Sequence, residues 1–213
     1  FELERIDDAE ARMLDLAYMA TLVDAFKTVT TPLSYWRAVG LEKLDEGFSR
    51  VASDLSDPAD AGLDEAYRCS SISSFLADSS RYRIASPFAR HASTTFKELH
   101  DEEHEDVAAN YNNLGMILED LGEYDEAREC YEKSLAIVLK LFGEEHADVA
   151  DIWYLLGGVL VELERFAEAE TQYMLAAEAG NTESMLALGY FGVYSEEKAA
   201  WGEAVAWLKR AAE

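Results

Sequence analysis

A single interval, forty-two residues, limits what this chain can fold into. His104 and His146 stand 42 apart, within HDEEHEDVAANY and GEEHADVADIWY. Tyr82, Tyr124 and Phe166 repeat the interval twice, each preceded by a charged residue (Arg81, Glu123, Arg165). Three residues after each comes an alanine: Ala85, Ala127 and Ala169. Nine residues before Tyr124 and Phe166 lie Gly115 and Gly157, and Ser73 holds that place before Tyr82. Self-similarity at such a period marks a chain built of stacked units, each burying its apolar face against the next.

The residue types identify the unit. Two antiparallel helices need small residues where their axes approach and large apolar residues in the gaps between. Gly115 and Ala127 suit the close approach, and Leu114, Leu118, Leu121, Tyr124 and Tyr131 suit the gaps. The set recurs as Leu156, Leu160, Leu163, Phe166 and Tyr173, and more weakly as Ile72, Leu76, Tyr82, Ala85 and Ala89. Gly122 ends one helix and Glu123 opens the turn into its partner. Helices are therefore expected at roughly 63–79, 81–99, 105–121, 124–141, 147–163 and 166–179. With only 3 prolines and 12 glycines, the chain has too few breakers for a many-turned β fold. The expected class is all-α: a right-handed α-α superhelix, a solenoid of antiparallel helix pairs.

The segment NYNNLGMILEDLGEYDEARECYEKSLAIVLKLFGEEHADVA resembles a tetratricopeptide repeat of the 42-residue, kinesin-light-chain kind. The resemblance is strong over 105–180 and weaker over 63–104. The segment AEAGNTESMLALGYFGVYSEEKAAWGEAVAWLKRAAE is similar to a Sel-like repeat. Its second helix aligns with the preceding one at an offset of 35 (Phe166 with Trp201, Ala169 with Ala204, Tyr173 with Leu208). The loop between its helices is about three residues longer. Residues 1–62 read as a helical pair or degenerate repeat. Leu14, Tyr18, Leu22 and Phe26 share one helical face; a second helix begins at Pro32 and carries Leu33, Trp36, Val39, Leu44, Phe48 and Val51. The expected division is thus 1–62, 63–180 and 181–213, the last being truncated. The chain opens at Phe1 rather than methionine, which suggests a fragment of something longer.

Charge narrows the partners. The formal net charge is −25, of which residues 101–213, with 26 acidic and 7 basic residues, carry −19. That field repels nucleic acid and anionic membrane surfaces. A basic or amphipathic polypeptide is the expected partner. The longest apolar run, Ile152 to Val161, is too short to span a bilayer, and no signal-peptide pattern is present. Cys69 and Cys130 fall within helical patterns, far apart and outside any CxxC, as expected of reduced, buried thiols in a cytoplasmic protein.

Catalytic chemistry finds no foothold. Neither GxGxxG nor GxxxxGK[ST] occurs. His100, Glu103 and His104 fit the inverted zinc-protease pattern HxxEH. The equivalent stretch 142–146 is an inter-repeat loop containing Gly143, so the pattern reads as polar loop. His104 and His146 instead suit the start of the following helices. The serines at 70–74 lack a glycine elbow or a nearby histidine. No enzyme activity, cofactor or metal is expected.

In tetratricopeptide proteins the first helix of each pair lines a concave groove that binds peptides. The resemblance places Tyr67, Ser70, Ser74 and Asp78 there from the first unit. The second supplies Ala109, Asn112, Met116 and Glu119, and the third Asp151, Tyr154, Gly158 and Glu162. The last contributes Glu183, Leu186 and Tyr190. Asn112 opens NNL, where the kinesin-light-chain pattern implies an amide that bonds a ligand backbone; Tyr154 departs from it one unit on. No lysine or arginine falls in the set, which argues against a carboxylate clamp. The expected function is a non-catalytic scaffold or adaptor. Two alternatives stay open: the sensor arm of a larger signalling ATPase, and a self-assembly module.

Overall fold

The computed structural model describes residues 19, 20, 23, 41–55, 57, 60–100, 103–194 and 198–212. Every regular element among them is an α-helix, so the chain is all-α, as its repeat predicts. It divides into two compact units, Phe1–Glu102 and Glu103–Glu213.

The first unit contains α1 (Leu41–Ser53), α2 (Leu63–Asp78) and α3 (Tyr82–Leu99), with Met19, Ala20 and Val23 also buried. Phe48 of α1 meets the Phe88 ring edge-on at 6.3 Å, a favoured geometry for two rings. Arg81 Nε reaches Asp45 Oδ1 at 2.5 Å. The expected fillers Ile72, Leu76, Ala85 and Ala89 are buried. Of the expected N-terminal pair, Phe48 and Val51 are buried, whereas Leu14, Tyr18, Leu22, Phe26, Leu33, Trp36 and Val39 lie outside the described residues.

The second unit runs through α4 (Glu105–Asp120), α5 (Tyr124–Phe142), α6 (Ala147–Glu162), α7 (Phe166–Glu178), α8 (Thr182–Tyr194) and α9 (Lys198–Ala211). Each helix packs chiefly on its neighbours in sequence, the mark of a helical-repeat solenoid. Three-residue turns between α4 and α5, and between α6 and α7, force each pair antiparallel.

The repeat interval is visible in the atoms. Gly122 closes α4 at φ 78°, and its counterparts Ser80 and Glu164 adopt φ 58° and 59°. In each case the next amide donates to a carbonyl five residues back: Arg81 to Leu76, Glu123 to Leu118 and Arg165 to Leu160, all at 2.8 Å. This is the Schellman closure, which satisfies the last carbonyls of a helix. The opposite ends also match. His104 Nδ1 accepts from the Asp106 amide at 3.2 Å, and His146 Nδ1 from the Asp148 amide at 3.3 Å. Both histidines therefore cap the helices they precede.

Packing between the helices follows the expected small-to-large pairing. A Cβ placed on Gly115 would stand 2.7 Å from Tyr131 Cε1, and one on Gly157 2.5 Å from Tyr173 Cε1. In the last pair Gly189 faces Leu208 in the same manner, 2.4 Å from Cδ2. The leading helix of that pair is thus offset by 32 and its partner by 35, as a longer intervening loop requires. One expected filler is corrected: Phe166 is 53% exposed. It occupies the first position of α7, where the turn carries its ring past the edge of the helix pair.

Candidate functional site

Leading helices keep one face clear of the core. Leu114, Ile117 and Leu118 of α4 point inward and are buried. The 3.6-residue period then turns Ala109, Asn112 and Met116 away from them. The same holds one repeat on, where Leu156, Val159 and Leu160 are buried and Asp151 and Glu162 are exposed. Large apolar side chains stand in solvent on these faces. Met116 is 46% exposed, Leu186 41% and Tyr190 62%. Tyr67 of the first unit is also exposed, its ring edge-on to Phe96 at 4.9 Å. Burying such groups against a partner is favourable by about 25 cal/mol per Å² of apolar surface.

The second unit brings several of the expected residues together. Glu119 of α4 and Gly158 of α6 are neighbours across the face, since a Cβ on Gly158 would sit 3.6 Å from Glu119 Oε1. Tyr131 donates its phenolic proton to Glu119 Oε2 at 2.8 Å. Tyr154 leans on Tyr173, ring centroids 5.9 Å apart. Tyr124 shares a hydrogen bond with Glu162, and this raises its phenol pKa. The result is a strip of carboxylates and phenol rings running from α4 to α6.

Burial costs charge here. The Glu119 carboxyl titrates above its ordinary value, first because it is desolvated, and then because Asp120 and Glu162 repel it. The Tyr131 hydrogen bond opposes that rise without cancelling it. Burial and the phenol and carboxylates nearby push Tyr173 up to about 12.

Ala109, Asn112 and Asp151 meet at the other end of the strip. They share a pocket of about 210 Å³ enclosed by α4, α5 and α6. The Oδ1 atom of Asn112 is shielded from solvent and has no hydrogen-bond partner. A buried acceptor left in that state costs about 1–3 kcal/mol.

Other expected residues behave differently. Ser74 Oγ donates to the Ser70 carbonyl at 3.0 Å, and Ser73 Oγ does the same at 2.9 Å. These hydroxyls turn back onto their own helix rather than outward. Asp78 and Glu183 are exposed. Sequence reasoning did not place Asn113, Glu105 or Asp148 at the site, and all three line the pocket. The signal for Asp148 lay in the repeat, as its 42-residue partner Asp106 opens α4. Tyr131 was expected only as a filler, and its buried hydroxyl was the clue that a polar partner stood near. Cys69 and Cys130 are buried and form no disulfide, and burial pushes the Cys69 thiol far above its ordinary range.

Among the described residues, no helix is long and apolar enough to cross a membrane. A family model described as Tetratricopeptide repeat matches the chain twice, over residues 66–137 and 106–181. No curated protein matches it. Among solved structures, the chain is similar to BtubC (BKLC) from P. vanneervenii. Identity is 19%, coverage is 95% of this chain and 90% of that one, and the TM-score is 0.64. It is also similar to nearly identical TPR-like repeats from a Podosopora anserina protein assigned as a kinesin light chain. There the identity is 14%, coverage is 92% and 93%, and the TM-score is 0.64. MamA is similar at 16% identity, 86% and 94% coverage and a TM-score of 0.56. At such identities these likenesses speak for the fold alone.

Proposed function

The chain belongs to the tetratricopeptide repeat family, and from that premise we propose that it is a non-catalytic scaffold. It holds a segment of a partner protein against the exposed faces of its leading helices. One observation carries this reading. Met116, Leu186 and Tyr190, all exposed, share those faces with the carboxylates Glu119 and Glu162. A surface of this kind suits an amphipathic segment bearing positive charge. Aromatic and methionine side chains supply area at low entropic cost, and the acids select sign.

On this reading Asn112 and Tyr154 make direct contact with the ligand, the first through its amide and the second through its ring. Residues 63–180 are the binding repeats, 181–213 a Sel-like extension of the same face, and 1–62 a helical pair preceding them. Buried thiols that form no disulfide suit a reducing compartment such as the cytoplasm.

The test is a random-peptide display selection on the immobilised chain, followed by affinity measurement for the selected sequences. Enriched peptides should be basic and amphipathic, and the joint replacement Asn112→Ala with Tyr154→Ala should abolish their binding. Peptides that bind the double variant unchanged would remove the basis of the reading.

A further inference from the structure

We propose that the pocket between α4, α5 and α6 is a receptor for one long cationic side chain, a lysine or an arginine, of the bound segment. The inference rests on the scaffold reading above and gives it a specific anchor.

Two features of the pocket converge. Its lining includes the apolar side chains of Val138, Phe142 and Ile152, which suit an aliphatic stem. Its rim carries three carboxylates, Glu105, Asp148 and Asp151, and no lysine or arginine lines it. One Asp151 oxygen accepts from Asn181 Nδ2 at 2.9 Å, which steadies the carboxylate. Asn112 lines it as well. Lysine and arginine tips are positively charged donors, so either complements these carboxylates. A neutral apolar side chain would meet the apolar lining and leave the carboxylates without a counter-charge. An acidic one would meet three like charges.

The volume of about 210 Å³ is of side-chain rather than domain scale, which limits the occupant to a single residue. That residue would fix the register of the segment along the strip. Beyond it, Glu119, Gly158 and Tyr154 would take the neighbouring positions.

The experiment is an NMR titration of the isotopically labelled full chain with three small probes. They are the Nα-acetyl methylamides of lysine, arginine and norleucine, the last offering the stem without charge. The lysine or arginine probe should produce saturable shifts at the Asn112 and Asn113 side-chain amides and over 148–152. Norleucine should bind at least about fivefold more weakly. Replacing Asp148→Asn and Asp151→Asn together should weaken the cationic probes by a similar factor and leave norleucine unchanged. The unchanged norleucine response also shows that the variant is folded.

Absence of saturable shifts with every probe, or equal binding of norleucine, overturns the inference. Failure here is distinguishable from failure of the scaffold reading. Selected peptides that need Asn112 and Tyr154 but tolerate loss of every lysine and arginine would sink the pocket alone. The lysine and arginine arms differ only in which tip the rim accepts, and a saturable response to either supports the proposal.

Discussion

Gly157 and Tyr173 touch so closely that a single methyl group cannot be placed between them. A Cβ at residue 157 would lie 2.5 Å from Tyr173 Cε1 and 2.6 Å from Cδ1. Tyr173 is itself buried in the cluster that holds Leu160, Ala169, Met185 and Leu188, so its ring has nowhere to retreat. The adjacent Gly158 meets only ordinary contacts, 3.6 Å from Glu119 Oε1 and 3.9 Å from the Tyr173 hydroxyl oxygen.

Two neighbouring glycines should therefore respond in opposite directions. Gly157→Ala is expected to destabilise the chain by about 1–3 kcal/mol through overpacking. Gly158→Ala should be neutral or stabilising by up to about 1 kcal/mol, because alanine is the better helix former. Urea unfolding of the two variants checks the contrast. Gly115→Ala should follow Gly157→Ala, since Tyr131 faces it in the same way.

The helix ends offer a second contrast. Ser80, Gly122 and Glu164 share one left-handed backbone conformation, yet only the middle residue is glycine. Gly122→Ala should cost about 1–2 kcal/mol, while Ser80→Gly and Glu164→Gly should stabilise by a fraction of that amount. Thermal unfolding of the three single variants measures it.

Glu119 links stability to binding. Its folded-state pKa is raised above the ordinary 4.5, by burial first. A raised pKa means that its contribution to stability is fully present below pH 4.5 and is lost as pH rises through the folded value. Glu119→Gln should then stabilise the free chain at pH 7, and the gap should close as pH falls towards 4.5. The same variant should weaken a basic selected peptide by roughly fivefold. Urea titrations across pH, together with fluorescence anisotropy at pH 7, follow both signs. A purely structural carboxylate would not show the loss of affinity.

In the first unit, His91 Nε2 stands 3.1 Å from Glu65 Oε1, and both side chains are nearly inaccessible. Burial holds the imidazole pKa below its ordinary 6.5, although Glu65 and Asp57 pull it upward. The unfolded chain consequently takes up a proton first, so stability is full above pH 6.5 and falls as pH drops from there towards the folded value. His91→Gln should flatten that part of the stability profile, as read by urea unfolding between pH 7 and pH 5.

The 42-residue period made the helices legible almost to the residue, because small and large side chains must alternate where two helices cross. The last pair followed instead from the offset of 35 that aligns Tyr173 with Leu208, and there Gly189 meets Leu208. Side-chain chemistry was less legible. Nothing in the order of residues distinguishes a serine aimed at a ligand from Ser74, which bonds its own helix. Glu164 gave no sign of its left-handed backbone, since glycine marks that turn only at Gly122. Phe166 carried the apolar signature of a filler, but as the first residue of α7 it lies beyond the packed interior. The pocket beside Asn112 depends on three helices at once, and no single stretch of sequence encodes it.

The central claim is that ligand segments lie along the leading helices, and a spin-labelled peptide tests it most directly. A nitroxide on a selected peptide broadens the NMR signals of the amides nearest to it. Broadening should centre on Asn112, Gly158 and Tyr190 and spare Ala136 of α5 and Met174 of α7. Broadening centred on Ala136 and Met174, with the leading helices untouched, would contradict it.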